Sequence, residues 1–395
     1  MQNAEGNVPG AYRRPALGLY LHIPFCAAIC NYCNFNRGLF DQALKARYVR
    51  ALEREIRATG TGEPADTVFF GGGTPSLLSP PEVGQLLGAC RSAFDLAPGA
   101  EVTLEANPET VSKTTLEGFR DAGVNRVSFG VQSFKDEEQR RLGRVHDAAR
   151  ARAAFADARS AGFDNISLDL MLWLPGQTSG DLAVSLDALA ALAPEHASVY
   201  LLELYPNAPL REAMARSNWS QAPDDDAADM YLQAMECLES AGYEQYEISN
   251  LAQPGRRSRH NMKYWVDGGE WFGFGCGAHS TVGALRWNNV TSTTEYIDRV
   301  EGDLDTAVSR RPLSSRERLE ETLFMGLRLV EGISLDHVRD RHGVEVMSTY
   351  GRRLEPAMEA GLLVLEAGRL RLSRQGMLLA NEVMTAFLED SSTVK

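Results

Sequence analysis

Six short apolar, β-branched runs in the first two hundred residues, each followed by an amphipathic helical stretch, constrain this chain more than any other feature. They lie at 17–23, 67–70, 101–104, 126–129, 165–170 and 197–202. Period-two or continuous apolar runs of this length read as strands. The stretches between them carry helix start signals, as where Ser79 precedes Pro80 and is followed three residues on by Glu82, a cap, a pre-organised first residue and a returning carboxylate. Parallel neighbours need helical crossovers, so a six-fold strand–helix alternation predicts an α/β fold, a parallel sheet curled into an incomplete (β/α)6, TIM-like barrel.

In parallel barrels the working end is the C-terminal end of the strands. The residues just past the six predicted ends are Cys26, Gly71 to Gly73, Glu105 with Asn107, Gln132 with Ser133, Asp169, and Glu203. Loops are polar everywhere, but here glycine, thiol, carboxylate and amide are expected to converge on one mouth.

The remainder divides by pattern. Residues 1–15 are polar and rich in Gly and Pro and predict a disordered tail, followed by the barrel at 16–207. Residues 208–312 lose the alternation and hold a segment dense in Gly, Arg, His and aromatics at 254–289. Three helices, a hairpin turning at Ala367 and Gly368, and a last helix over 375–388 predict a winged-helix-like α+β domain at 313–390.

Charge and hydropathy exclude several roles. The net charge is −13, and residues 313–395 hold 11 Lys and Arg against 13 Asp and Glu. Such a surface repels phosphate backbones, so neither general nucleic-acid binding nor a DNA-reading winged helix is expected. No run reaches the roughly 18 apolar residues of a membrane span, and the N-terminal segment lacks a signal peptide's apolar centre. The expectation is a cytoplasmic protein with no transmembrane segment.

Three of the six cysteines, Cys26, Cys30 and Cys33, form C-x3-C-x2-C directly after the first strand. Zinc sites favour two separated pairs, and no second pair follows. A cubane iron–sulfur cluster takes four thiolates, so three leave one iron open to another ligand. Cys90 and Cys237 sit inside helical patterns and read as small core residues. The GGGTP turn at 71–75 lets a ligand approach the backbone, and its free amides would suit a carboxylate. It is neither a Walker A loop nor a dinucleotide fingerprint.

These residues carry a resemblance. YLHIPFCAAICNYCNF at 20–35, GGGTP at 71–75, LEANP at 104–108, FGVQSF at 129–134, LGR at 142–144, LDL at 168–170, QYEISN at 245–250 and HNMKYW at 260–265 resemble the radical S-adenosylmethionine (SAM) superfamily. The chain is similar to the branch that holds oxygen-independent coproporphyrinogen dehydrogenases and HemW haem chaperones. The resemblance implies a radical SAM barrel, a [4Fe-4S] cluster on Cys26, Cys30 and Cys33, and SAM bound at the open iron. It implies a SAM site at Tyr20, Tyr32, Gly72, Gly73, Thr74, Glu105, Gln132, Arg144 and Asp169. An electron donor for the cluster follows from the same resemblance.

The two branches differ at identifiable positions. The dehydrogenase pattern has a fourth cysteine two residues after the third, where this chain has Phe35. The chaperone branch has three cysteines and an H-N-x-x-Y-W motif, here His260 to Trp265. The resemblance therefore implies haem as a cofactor, with haem-acceptor proteins, whether soluble or at the membrane, as partners. The alternatives are a coproporphyrinogen III dehydrogenase or another radical SAM enzyme such as a methyltransferase. Arg256, Arg257 and Arg259 precede His260, and Tyr264, Trp265, Trp271, Phe272 and Phe274 follow it. Cations for propionates, apolar faces and an imidazole are what a haem needs, so His260 is the expected haem ligand, with His279 as second candidate.

Overall fold

The computed structural model describes residues 16–388 apart from 61, 207, 218, 222 and 223. The predicted tail at 1–15 lies outside the described residues. All six expected strands are present: β1 (Leu17–Ile23), β2 (Pro64–Gly72), β3 (Asp95–Ala106), β4 (Arg126–Gln132), β5 (Ile166–Leu172) and β6 (His196–Leu201). They lie side by side in chain order, every pair parallel. Both faces of β1 are covered. Leu19, Leu21 and Ile23 meet Tyr48, Leu52 and Ile56 of the first crossover helix, Gln42–Thr59, in one hydrophobic core. That is why these strands read as near-continuous apolar runs.

The sheet is wider than the sequence pattern suggested. It has twelve strands and does not close. Beyond β6 it continues antiparallel into Asn250–Ala252 and Glu244–Gln245. Beyond β1 it continues in parallel with Trp271–Phe274, then antiparallel through His279–Val282, Leu285–Asn289 and Ala307–Pro312. These strands escape periodicity because most are only two to five residues long, and Trp271–Phe274 is broken by Gly273. A Cβ on Gly273 would fall 2.2 Å from the His279 carbonyl oxygen, so the residue that permits this close approach also erases the pattern.

The start of the sheet is plugged by the helix Arg259–Trp265. Ser258 caps it, accepting from the Asn261 amide, while the amides of Arg259 and His260 both donate to the Glu101 carboxylate at 3.0 Å. Lys263 Nζ donates to the Ala16 carbonyl oxygen and pairs with Asp66 at 2.7 Å. Gly18 of β1 has room for no side chain there, since a Cβ would lie 2.8 Å from Lys263 and 3.1 Å from His260.

A second hydrophobic core joins Ser315–Arg328, Leu335–His342 and Val346–Glu359 to a three-stranded antiparallel sheet through Leu323, Leu327, Val338, Leu354, Leu370 and Phe387. This is the winged-helix-like arrangement, and its hairpin turns at Ala367 and Gly368, both with positive φ, as a two-residue type I′ turn requires. The predicted last helix is two, Arg374–Leu378 and Ala380–Thr385, broken at Leu379. Asp267, just past the plug helix, holds this unit by accepting from Thr322 Oγ1 at 3.0 Å and His337 Nε2 at 2.8 Å and pairing with Arg341 at 3.1 Å. Among the described residues no helix is long and apolar enough to cross a membrane.

Candidate functional site

The loop after β1 is tied down at both ends. Phe25–Cys26 pairs in parallel with Gly38–Leu39. Asn36 donates to the carbonyl oxygens of Cys276 at 3.1 Å and Thr291 at 3.0 Å. Its own carbonyl oxygen meets His22 Nε2 at 2.7 Å. The loop's middle is bound from the other side, where the Asn31 amide donates to the Leu142 carbonyl oxygen at 3.1 Å. The three thiols therefore stand on a braced segment.

Cys26, Cys30 and Cys33 open into one cavity of about 270 Å³. Its wall also contains Tyr32, Gly72, Gly73, Thr74, Glu105, Gln132, Arg144 and Asp169, residues from a 144-residue stretch of chain gathered at the strand ends. Tyr20 is the exception among the expected SAM residues. Its ring packs beside Gly71 and its hydroxyl bonds His22 Nδ1 at 3.1 Å, outside the cavity wall.

The glycine turn has a different task from the one expected of it. Its amides are not free for a ligand: Gly73 donates to the Ile23 carbonyl oxygen and Thr74 to that of Phe25, each at 2.8 Å, and Gly72 donates to Glu105 Oε2 at 3.1 Å. A Cβ on Gly73 would lie 2.7 Å from the Phe25 oxygen. The glycines let β2 lock against the root of the cysteine loop, and they orient Glu105.

Inside the cavity the charges are arranged by sign. Loss of hydration, reinforced by Asp169, pushes the Glu105 carboxyl up to about 8. Burial raises Asp169 to about 6, opposed by Arg126 and by bonds from Ser128 and Ser198. Arg144 stands across from them, donating to Asn107 Oδ1 at 3.0 Å, the Gly130 carbonyl oxygen at 2.5 Å and Cys30 Sγ at 3.4 Å. Burial also raises the Cys26 and Cys33 thiols. Gln132 has a φ of 70° at the end of β4, where the register with β5 slips. A non-glycine residue holds that conformation only when its surroundings fix it, and here Tyr200 donates to its side-chain oxygen at 2.9 Å.

Two of the expected strand-end groups do not converge. Ser133 turns away into the core, bonded to Glu138 and to the Lys135 amide, because the twist at Gln132 reverses its face. Glu203 instead accepts from Tyr205 at 2.6 Å. Conversely, Arg37, Gly130, Ser198 and Tyr200 line the cavity and were not singled out from sequence. Ser198 and Tyr200 were findable, since alternate residues of β6 share one face.

His260 does not line this cavity; it sits in the plug, 6.4 Å ring to ring from Tyr20. In this structure the imidazole of His260, the expected haem ligand, is engaged by protein groups. Nδ1 bonds Thr67 Oγ1 at 2.8 Å and Nε2 bonds Tyr264 at 3.0 Å, the ring stacks on Phe69, and the residue is 1% exposed. Both nitrogens face protein hydroxyls here. Its arginine neighbours are also engaged: Arg259 pairs with Asp66 and Arg257 covers Tyr246. His279 is exposed on a strand held between Trp271–Phe274 and Leu285–Asn289, and it does not line the thiol cavity.

The donor set fits a cubane cluster. All six cysteines are free, and the other three, Cys90, Cys237 and Cys276, lie outside the cavity. Among the described residues no three His, Cys, Asp or Glu groups converge on a single ion, as they would for zinc. Thiols spread around one cavity suit a polynuclear centre.

Comparison with known proteins agrees with this architecture. The radical SAM superfamily profile matches residues 20–189 and the HemN C-terminal domain profile residues 313–379. The haem chaperone HemW of Bacillus subtilis is 38% identical over 93% of this chain and 98% of its own length. That of Mycobacterium tuberculosis is 36% identical over 98% and 99%. The structure of Escherichia coli coproporphyrinogen III oxidase, HemN, superposes with a TM-score of 0.84 at 23% identity, covering 94% of this chain and 90% of that one. At that identity the likeness is one of fold.

Proposed function

This chain belongs to the HemW family of radical SAM proteins, and from that membership we propose that it is a haem chaperone, binding haem and passing it to acceptor haemoproteins in the cytoplasm or at the membrane. In this reading Cys26, Cys30 and Cys33 hold a [4Fe-4S] cluster reduced by an electron donor. Tyr32, Gly72, Gly73, Thr74, Glu105, Gln132, Arg144 and Asp169 hold SAM beside it. The cluster supplies an electron-transfer centre and an open coordination position. The chain's own residues supply the rest: Arg144 a cation for a carboxylate, and Glu105 and Asp169 acceptors for an ammonium or ribose hydroxyls.

The observation that carries the reading is the convergence of three thiols and no fourth on one cavity among the described residues. Phe35 occupies the position where the dehydrogenase pattern has its fourth cysteine, which speaks against porphyrinogen oxidation. The test is to reconstitute the protein anaerobically and offer it haem and coproporphyrinogen III separately. Stoichiometric haem binding with transfer to an apo-haemoprotein, and no protoporphyrinogen IX formed, is expected. Turnover of coproporphyrinogen III would make it a dehydrogenase. Replacing Cys26, Cys30 or Cys33 by Ala should each abolish the cluster's absorbance and EPR signal, while Cys90→Ala and Cys237→Ala should keep both.

A further inference from the structure

Parallel barrels usually fill their interiors with bulky branched apolar side chains. The face enclosed by these six strands instead holds a buried arginine. Arg126, 1% exposed, opens β4 opposite Thr103 of β3. Along the same strand Val127, Phe129 and Val131 join the hydrophobic core, so by the period of two Arg126 and Ser128 share the other face. There Ser128 pairs with Glu105 in register and donates to Asp169 at 3.2 Å. Arg126 therefore sits one layer, about 7 Å along the strand, beneath the two carboxyls of the thiol cavity.

No hydrogen bond answers it at close range. Its Nε, like Thr103 Oγ1, has no partner among the described residues, and a guanidinium cannot shed its charge. A buried cation with no counter-charge is strongly destabilising. The ionisable groups within reach of its field are Glu105 on β3, Asp169 on β5, His196 on β6, Tyr246 and, from the plug, His260. Burial keeps both imidazoles and the phenol neutral. Glu101, also on the inner face of β3, is taken up by the amides of Arg259 and His260. Glu105 and Asp169 remain to balance the guanidinium. On their other sides these carboxyls face Arg144 and the neutral phenols of Tyr20, Tyr200 and Tyr264.

We propose that Arg126 is a positioning residue of the SAM site, a counter-ion behind the cavity floor that keeps Asp169 and Glu105 ionised for the ligand's ammonium and ribose hydroxyls. It touches no ligand and acts through the two carboxylates. The inference rests on the reading of this cavity as a SAM site.

The experiment is an anaerobic SAM titration of the reconstituted full-length protein across the neutral pH range, with iron and sulfide content and urea midpoint measured on each variant. Arg126→Met should move the rise in SAM affinity to higher pH by about one unit, making Kd about tenfold weaker at neutral pH. Arg126→Lys, which keeps the charge, should return the profile toward that of the unaltered protein. Arg50→Met, at an exposed position of the first crossover helix, should leave it alone. A second measurement needs neither SAM nor cluster. Removing both members of a buried set of charges costs less than removing one, so Arg126→Met combined with Asp169→Asn should resist urea better than Arg126→Met by itself, and should fold even where the single variant does not. An unmoved pH profile in Arg126→Met, with SAM bound by the parent, overturns the assignment, and so does a double variant no more stable than the single one. A parent that binds no SAM overturns the reading of the cavity, and the urea comparison still decides whether Arg126 is the counter-ion.

Discussion

Replacing Glu105 by Gln should remove most of the pH dependence of SAM binding. In the empty cavity its carboxyl is raised to about 8 by lost hydration and by Asp169, against the pull of the Gly72 amide and Arg126. At pH 7 only about a tenth of the molecules carry the charge that a cationic ligand needs, and one pKa unit corresponds to about 1.4 kcal/mol. Kd for SAM should therefore fall about tenfold between pH 6.5 and 7.5, a window below the α-amino titration at about 7.7–8.0. Binding should also release about one proton to the buffer. Glu105→Gln keeps the size and a hydrogen-bonding oxygen but has no proton to lose, so its Kd should be nearly flat. At pH 7.5 it should be weaker by roughly tenfold or more, since a hydrogen bond to a charged group contributes about 1.5–3 kcal/mol. Anaerobic isothermal titration calorimetry in two buffers of different ionisation enthalpy reads both quantities. A flat profile in the unaltered protein, with no proton released, would refute the assignment of Glu105 to the ligand's cationic end.

His260→Ala should cost stability, about 2–4 kcal/mol from the cavity and from leaving Thr67 and Tyr264 without their partner, visible in urea unfolding. An unchanged midpoint together with a lost Soret band in the haem-loaded variant would refute the structural role and make His260 a haem ligand. Gly73→Ala should be far more damaging than its size suggests, because the added Cβ meets the Phe25 and Ile23 carbonyl oxygens at 2.7 and 2.9 Å; lower cluster occupancy after reconstitution measures it. The Asp267 carboxyl is depressed by bonds from His337 and Thr322 and by the charges of Arg341 and His342. A carboxyl lowered in the folded state stabilises it above the unfolded value of about 4, and that stability is lost as pH falls through the folded pKa. Limited proteolysis should accordingly release the C-terminal unit on acidification below about pH 4. Asp267→Asn should do so already at pH 7.

Much of the site is local in sequence, and that part was legible. Three thiols within eight residues can only end up near one another, and a strand's last residues must lie at its C-terminal end, so Cys26, Gly72, Glu105, Gln132 and Asp169 followed once six strands were counted. Parallel order came with them, because a dozen or more residues between strands leave room for little but a crossover. What the sequence could not decide is which partner each group meets across long separations. The HNMKYW motif has the composition of a haem pocket, yet Glu101 captures the amides of Arg259 and His260, and Thr67 and Tyr264 take both imidazole nitrogens. Those bonds seat the motif as a plug at the start of the sheet. The glycine turn likewise looked open to a ligand until the carbonyl oxygens of Ile23 and Phe25 and the Glu105 carboxylate were placed on its amides. Composition and period set the elements, since both act over a few residues; burial and hydrogen-bond satisfaction act between elements, and only the assembled sheet settles them.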